Sequence, residues 1–209
     1  TNNTSINNTY DGLSLSDSSG CIVANNTFID NGIVISGRSP SNWFLDLSGN
    51  TVNGRPLGYF VNLTSTIIDG TQYGQIIMVN CSEVVVKDGC FFKSSKGVQL
   101  VFSRQCTLTN NTIIDCSTDG FYLLLSNDSI LINNTATDNG CGVYLHSLGS
   151  CTLIGNSLSR NGIGINLVYS LGCAMTQNTL VDNGIVISGR LPYWLLDLSD
   201  NTVNGRPLG

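Results

Sequence analysis

Residues that build most catalytic and metal sites are scarce in this sequence. The chain has one histidine (His146), one glutamate (Glu83), two methionines (Met78 and Met175) and 11% charged residues. Copper handling by histidine and thioether ligands is therefore disfavoured, and the lack of any Cys-x-x-Cys spacing argues against zinc. The net charge of −5, with scattered Lys and Arg, argues against a nucleic-acid partner. No apolar run reaches the length of a membrane span.

Helix-forming sequence is also scarce. Glycine (23 residues), asparagine and β-branched residues interrupt every stretch that could carry a 3.6-residue apolar pattern. Instead the chain has a repeat of 22–23 residues marked by an asparagine, and a repeat of this length is one turn of a solenoid. The repeating positions are Asn26, Asn50, Asn111, Asn134, Asn156, Asn178 and Asn201.

Apolar residues keep fixed places around each asparagine. The residue three positions earlier is apolar, as in Leu108, Leu131 and Leu153, and so is the residue two positions later. A glycine further on is followed by apolar residues one and three positions later, which is the period of a strand with one buried face. The sequence therefore predicts an all-β fold, a right-handed parallel β-helix (solenoid) with about 22–23 residues per coil.

The repeating asparagine is predicted to lie at a turn between two strands. Asparagine tolerates left-handed backbone torsions. Its amide can also donate to the equivalent side chain one coil away, about 4.8 Å along the stack. In one coil Asp88 is assigned to this column, which places Val85 and Cys90 in the inward positions beside it.

A longer repeat is superimposed on the coils. Residues 26–58 recur almost letter for letter at 178–209, so the chain holds about one and a third copies of a unit of about 150 residues. We therefore expect a single continuous β-helix over residues 1–209, in which 26–58 and 178–209 are equivalent parts of a tandem unit. A start without Met and an abrupt stop at Gly209 suggest that this sequence is part of a longer protein.

Eight cysteines are many for a cytosolic chain of this size. Four of them share one inward column, five positions before the asparagine: Cys21, Cys106, Cys151 and Cys173. Cys151 and Cys173 lie on successive predicted coils, within the Cα separation that a disulfide requires. Two interpretations stay open, a disulfide and a stack of buried reduced sulfurs.

Acceptor tripeptides for N-glycosylation are frequent, with nine Asn-x-Ser/Thr sequences. Several flank the predicted buried turns, whereas Asn62 and Asn127 lie off the ladder and are the better candidates. Glycans at these sites would indicate an exported protein. In the alternative interpretation, Asn-Asn-Thr is simply the turn sequence.

A family resemblance follows from this coil pattern. It is carried by residues 50–62, Asn-Thr-Val-Asn-Gly-Arg-Pro-Leu-Gly-Tyr-Phe-Val-Asn, and by residues 74–81, Gly-Gln-Ile-Ile-Met-Val-Asn-Cys. Essentially the whole chain resembles the NosD-like, or CASH-domain, right-handed β-helix repeats of many exported archaeal and bacterial proteins. The resemblance implies the fold and an extracytoplasmic location. It does not choose an activity, because the family includes polysaccharide-processing enzymes, a periplasmic factor linked to copper-enzyme maturation and large surface proteins of methanogenic archaea.

The sequence shows no catalytic constellation. Pectinolytic proteins of this fold carry paired aspartates with Gly-His-Gly and Arg-x-Lys elements, and these do not occur here. The column four positions after the asparagine contains Asp115, Asp138 and Arg160. Asp115 and Asp138 on adjacent coils are a candidate pair for a shared cation, whereas Arg160 next to Asp138 favours simple charge compensation. We expect no cofactor.

Aromatic residues mark the candidate binding surfaces. Tyr122 and Tyr144 are predicted to face outward on successive coils, either as a sugar-binding platform or as ordinary β-helix packing. Trp43, Tyr193 and Trp194 follow the two Gly-Arg pairs at equivalent places in the two copies. Exposed aromatic residues there suggest lateral contacts between units or filaments.

The expected function is structural. We interpret the chain as an extracellular, cell-surface protein, archaeal by its resemblance, that forms part of a surface layer, sheath or fibre by end-to-end stacking of tandem units. Cys21 takes the place of Cys173, so a sulfur contact would recur between units. The alternative function is that of a carbohydrate-binding or polysaccharide-cleaving protein. The expected partners are further copies of the unit and glycans, with no nucleic acid and no membrane span.

Overall fold

The fold is an all-β parallel solenoid of about nine turns with almost no helix, which confirms the predicted fold class. The computed structural model describes residues 1–193 and 196–208. Two short 3₁₀ segments, Pro40–Trp43 and Gly70–Gln72, are the only helical parts of this described chain. None of its helices is long and apolar enough to cross a membrane.

The strands of the described residues are numbered along the chain. They are β1 (Thr4–Ile6), β2 (Leu13–Ser16), β3 (Thr27–Ile29), β4 (Ile33–Ser36), β5 (Thr51–Val52), β6 (Arg55–Val61), β7 (Ile67–Asp69), β8 (Gln75–Val79), β9 (Val85–Lys87), β10 (Cys90–Phe92), β11 (Lys96–Val101), β12 (Thr107–Thr109), β13 (Thr112–Ile114), β14 (Asp119–Leu124), β15 (Ser129–Ile132), β16 (Thr135–Thr137), β17 (Cys141–His146), β18 (Cys151–Ile154), β19 (Ser157–Ser159), β20 (Ile163–Val168), β21 (Ala174–Thr176), β22 (Thr179–Val181), β23 (Ile185–Ser188), β24 (Asp197–Ser199), β25 (Thr202–Val203) and β26 (Arg206–Pro207).

Three sheets form the walls of the solenoid, and each coil gives one strand to each wall, as β15, β16 and β17 do. The sheet that contains β8, β11, β14, β17, β20 and β23 is called the long sheet below. Neighbouring coils pair in parallel, with Leu131 opposite Leu153 and Tyr122 opposite Tyr144. Because each strand pairs with the equivalent strand of the next coil, equivalent side chains stack on one another along the axis.

The main hydrophobic core fills the interior of the coils. Leu108, Leu131 and Leu153 are fully buried on one wall, and Ile113 and Leu158 on the next, as their columns predict. Each such side chain contributes about 1.5–3 kcal/mol through burial. No coil can bury its inward residues alone, so the stability of the solenoid depends on contacts between neighbouring coils.

The repeating asparagines form hydrogen-bonded ladders inside the turns. In each of four successive steps from Asn111 to Asn201, the backbone N–H and the side-chain Nδ2 both donate to the Oδ1 one coil further on. For Asn156 these distances to Asn178 are 3.0 and 2.9 Å. Asn26 and Asn50 form a separate, shorter ladder that Asn3 joins.

The assignment of Asp88 to the asparagine column is wrong by one residue. Lys87 pairs with Thr109, so the counterpart of Asn111 is Gly89, whose N–H donates to Asn111 Oδ1 at 2.9 Å. A Cβ at Gly89 would lie 2.5 Å from the Phe91 ring, so an asparagine does not fit there. The inward residues of this coil are therefore Val86 and Phe91 rather than Val85 and Cys90, and Cys90 is exposed.

The left-handed torsions also fall one residue earlier than predicted. Asn110 (φ 53°), Asn133 (φ 53°) and Gln177 (φ 56°), each just before a ladder asparagine, carry them, and Asp88 (φ 59°) belongs with this group. The ladder asparagines keep ordinary torsions and contribute through their side-chain amides.

A second asparagine column stabilises the opposite turn, and the sequence analysis missed it. Asn139 Nδ2 donates to Asn161 Oδ1 at 3.0 Å, and the Cys116 N–H donates to Asn139 Oδ1 at 2.9 Å. Its signal was present, since each of these asparagines lies five positions after a ladder asparagine and directly before a glycine.

The strand direction reverses once near the start of the chain. β5 and β6 pair in antiparallel fashion around Asn53 and Gly54, which have φ values of 49° and 78°. Positive torsions at both central residues are typical of a type I′ hairpin, for which Asn-Gly is the preferred sequence. The coils before residue 53 and those after residue 54 are therefore joined through this reversal.

A second core lies at that junction. Phe28, Ile33 and Ile35 from the first coils pack with Ile77 and Val79, whose side chains point away from the main core. The outer face of the long sheet therefore closes the apolar interior of the preceding coils. We call this contact the junction.

Candidate functional site

The outer face of the long sheet carries a row of aromatic side chains beyond the junction. Tyr122 and Tyr144 stack with ring centroids 5.4 Å apart and an interplanar angle of 6°. His146, Tyr169 and Tyr193 continue the row, with centroid distances of 6.1, 6.2 and 5.8 Å between successive rings. The predicted tyrosine stack is thus part of a longer aromatic strip, in which Tyr144 and His146 share strand β17 and the other rings lie on neighbouring coils.

A buried ion pair lies under the first of these rings. Lys96 and Asp119 occupy the same place on adjacent coils and contact each other, with side chains that are 10% and 13% exposed. Lys96 Nζ also lies 3.9 Å from the centroid of the Tyr122 ring. The sequence carried a signal for this pair, because both residues directly precede the column glycines Gly97 and Gly120.

Burial shifts the ionisation of the aromatic strip. It raises the pKa of Tyr122 to about 12 and also raises the pKa of Tyr144, and the negative charge of Asp119 adds to both shifts. Burial lowers the pKa of His146. At neutral pH Tyr122, Tyr144 and His146 therefore present neutral rings, which are suited to stacking and hydrogen bonding.

A cleft of about 460 Å³ opens beside this strip. Its walls come from both sides of the junction: Asp17, Ser36 and Arg38 from the first coils, and Tyr122, Leu124 and His146 from the long sheet. One acid, one guanidinium and a neutral imidazole do not form the pair of carboxyl groups that most glycoside hydrolysis requires.

The cysteine column is buried, but its members differ in their neighbours. Cys151 Sγ and Cys173 Sγ are 2.8 Å apart on adjacent coils. The hydrogen bond to Cys173 and burial raise the pKa of Cys151. Cys106 is buried in the same column next to Ser129, and Cys21 is half-buried next to Leu45. Both interpretations of the column, disulfide and reduced stack, stay open.

Thiol reactivity should follow burial. Burial raises the pKa of Cys116 to about 11 and that of Cys141 to about 12, which removes the reactive thiolate at about pH 8. We expect iodoacetamide to modify the exposed Cys90 first and the other two only after unfolding. Mass spectrometry of peptides from native and denatured samples measures this order. Modification of Cys116 at the rate of Cys90 would contradict the burial.

One member of the acidic pair proposed as a cation site, Asp138, is engaged in charge compensation. Asp115 and Asp138 do occupy adjacent coils. Arg160, however, donates from Nε and Nη2 to the two carboxylate oxygens of Asp138, both at 2.8 Å. This hydrogen bonding lowers the pKa of Asp138. Within residues 1–193 and 196–208, no group of three or more His, Cys, Asp or Glu side chains is arranged to hold a metal ion.

The expectation of exposure is wrong for Trp43. Its side chain is fully buried in the junction, where Nε1 donates to the Gly37 carbonyl at 3.2 Å and the ring meets Phe102 edge-on. The hydroxyl of Tyr59 donates to the Trp43 carbonyl. Trp43 thus binds one set of coils to the next within the chain. Tyr193 is half-buried at the end of the aromatic strip, and Trp194 lies outside the described residues.

The two selected glycosylation candidates are exposed. Asn62 and Asn127 both lie at turns on the surface of the solenoid, with their Oδ1 atoms accepting from Asn80 Nδ2 and the Gly149 N–H. Their side chains are accessible to a modifying enzyme. Glycosylation at these two sites stays a prediction.

Comparison with known families adds to these observations. The model of a family described as "Periplasmic copper-binding protein (NosD)" matches residues 46–190, which is more than half of the chain. The chain belongs to the NosD family. The match covers the Asn-Gly hairpin and nearly all the coils that follow it. A search of the curated proteins found no match.

The copper-binding description of the NosD family was tested against the side chains present. His146 is flanked by Tyr144 and Tyr169 on the aromatic strip. Met78 and Met175 are fully buried inside the solenoid. Copper ions in proteins take imidazole, thiolate or thioether ligands grouped around one point. Because these residues are not grouped, they do not fit a copper site.

Proposed function

We propose that this NosD-family chain is a structural protein of the cell exterior, in which tandem units of about 150 residues assemble into a fibre, sheath or surface layer. The observation that carries the proposal is the duplication of residues 26–58 at 178–209. In the first copy this segment forms the junction with the coils that follow. Because the chain repeats its own junction sequence, the second copy can join a further set of coils in the same way.

An exported location supports this function. The family description names a periplasmic protein, and Asn62 and Asn127 are exposed acceptor sites for glycans. The sparsely charged surface, rich in Asn, Ser and Thr, suits close packing of neighbouring copies, because few charges must be desolvated at a contact.

Electron microscopy of the native, full-length material tests the structural function. We expect thin fibres or hoops, and these should weaken in thiol reductants if the cysteine column is oxidised between units. Monodisperse monomers of the full-length protein at high concentration would contradict the proposal.

Carbohydrate binding or cleavage is the second candidate function. The aromatic strip from Tyr122 to Tyr193, beside the cleft that Arg38 and Asp17 line, favours it. Aromatic faces stack on sugar rings, and the polar cleft residues can hydrogen-bond hydroxyl groups. Release of reducing ends or unsaturated products from polyuronate, pectin or chitin-type substrates by the purified chain would favour this function over the structural one.

A further inference from the structure

The last coil repeats an apolar face that the first coils bury. Ile33 and Ile35 are 0% and 1% exposed, whereas their equivalents Ile185 and Ile187 are only half-buried. The contrast in exposure is sharper on the neighbouring wall of the solenoid. There Leu47 is 3% exposed and its equivalent Leu198 is 38% exposed. Near-identical sequences therefore differ in exposure because, within residues 1–193 and 196–208, only the first copy is covered by other coils.

That partner is the outer face of the long sheet. Ile77, Val79 and Val101 cover the apolar residues of the first coils, together with the partly buried ring of Tyr59. All three aliphatic side chains are fully buried although they lie outside the main solenoid. The residues that cover the first coils thus lie on β6, β8 and β11, the first strands of the long sheet after the Asn-Gly hairpin.

A glutamine closes the open strand edge at this contact. The Ile33 N–H donates to Gln75 Oε1 at 3.0 Å, and Gln75 Nε2 donates to the Ile33 carbonyl at 2.7 Å. Gln99 Nε2 adds a bond of 3.2 Å to the same carbonyl. The side-chain amide of Gln75 therefore satisfies the backbone N–H and carbonyl of Ile33 on β4, as the peptide group of a neighbouring strand would.

The equivalent edge lies at the other end of the described chain. Among the described strands, β23 is the terminal one of the long sheet, and it pairs only with β20. Its sequence from Asn183 to Ile187, Asn-Gly-Ile-Val-Ile, is identical to that from Asn31 to Ile35. The Asn-Gly hairpin is also repeated, with φ values of 49° at Asn204 and 73° at Gly205.

We propose that the face formed by Ile185, Ile187 and Leu198 is a docking surface for a second copy of the unit, specifically for the outer face of that copy's residues 57–101. The glutamine equivalent to Gln75 in the incoming copy hydrogen-bonds to the main chain of Ile185. This inference rests on the tandem units of the proposed function and adds their geometry. Units join through a strand reversal at each junction and do not continue as one uninterrupted stack.

An extended chain tests the docking surface. Residues 59–209 are appended after Gly209, which corresponds to Gly58, so that a complete second unit follows the natural junction sequence. Leu198→Cys is introduced in the first unit only, and its alkylation is followed by mass spectrometry. We expect the introduced thiol to react in the original chain and to lose that reactivity in the extended chain, down to the rate of Leu47→Cys.

Two controls make the result decisive. Asp197→Cys should react equally in both chains, because Asp197 and its equivalent Asp46 are both exposed. Gln75→Ala in the appended unit should restore reactivity at Leu198→Cys. The buried Cys151 and Cys173 of the appended unit report whether that unit folds.

Three outcomes overturn the inference. The first is equal reaction of Leu198→Cys in both chains, the second is protection that persists in Gln75→Ala, and the third is an appended unit that does not fold on the last coil. Fibres in the native material together with an unprotected Leu198→Cys would reject this docking surface and leave the proposed function standing. Protection without fibres would reject the function and keep the surface.

Discussion

Leu153→Asp is expected to unfold its own coil and the coils on either side. Leu153 is fully buried and lies between Leu131 and Met175 of the adjacent coils. A carboxylate at this point has no partner, so it must remain charged in the core or take up a proton. We expect the free energy of unfolding to fall by more than about 4 kcal/mol, measured by circular dichroism during urea unfolding.

The neighbouring residue supplies the control for this substitution. Thr152 lies on the same strand, β18, with its side chain on the opposite, half-buried face. Thr152→Asp should change the free energy of unfolding far less, because its charge stays in contact with water. A urea midpoint for Leu153→Asp equal to that of the parent would show that this column does not face the interior.

Asp119→Leu is expected to be the second most damaging change. It leaves the ammonium group of Lys96 buried without its partner, which costs about 3–5 kcal/mol. The Tyr122 ring retains a cation–π contact worth about 1–2 kcal/mol, which places the expected loss in the lower part of that range. The same urea experiment measures it.

A double variant and a surface pair separate charge burial from loss of packing. Lys96→Leu combined with Asp119→Leu should recover most of the stability, since two apolar residues replace a buried ion pair at little net cost. Asp138→Leu, which breaks the exposed pair with Arg160, should cost about 1 kcal/mol or less. A double variant as unstable as Asp119→Leu alone would show that the buried charge is not the cause.

Much of the fold follows from the sequence because each coil repeats the same few constraints. The columns at Leu108, Leu131 and Leu153 predict a buried wall, and the asparagine spacing predicts the ladder. Where one coil breaks the pattern, the prediction fails: Asp88 has the expected polarity, but the chain needs Gly89 at the ladder position because Phe91 approaches it closely.

The junction was beyond the reach of the repeat analysis. Trp43 and Gln75 look like surface residues if every coil faces water, and both are buried because one set of coils packs on the outside of another. The Ile33–Gln75 contact joins positions 42 residues apart and belongs to no column. Periodicity predicts which residues face the interior of a coil, but it does not predict what covers the outside.

The position of the junction also makes the unit adjustable in length. The covering face uses β6, β8 and β11, with Tyr122 and Leu124 of β14 packed against the same core, and the proposed docking face lies on the last coil. β15–β21 therefore act as a spacer between the two faces. Adding or deleting one coil with its ladder asparagine shifts the two faces by about 4.8 Å, the distance between neighbouring strands. If units assemble as proposed, the period of the assembly changes in fixed steps of one coil, while both contact surfaces keep their shape.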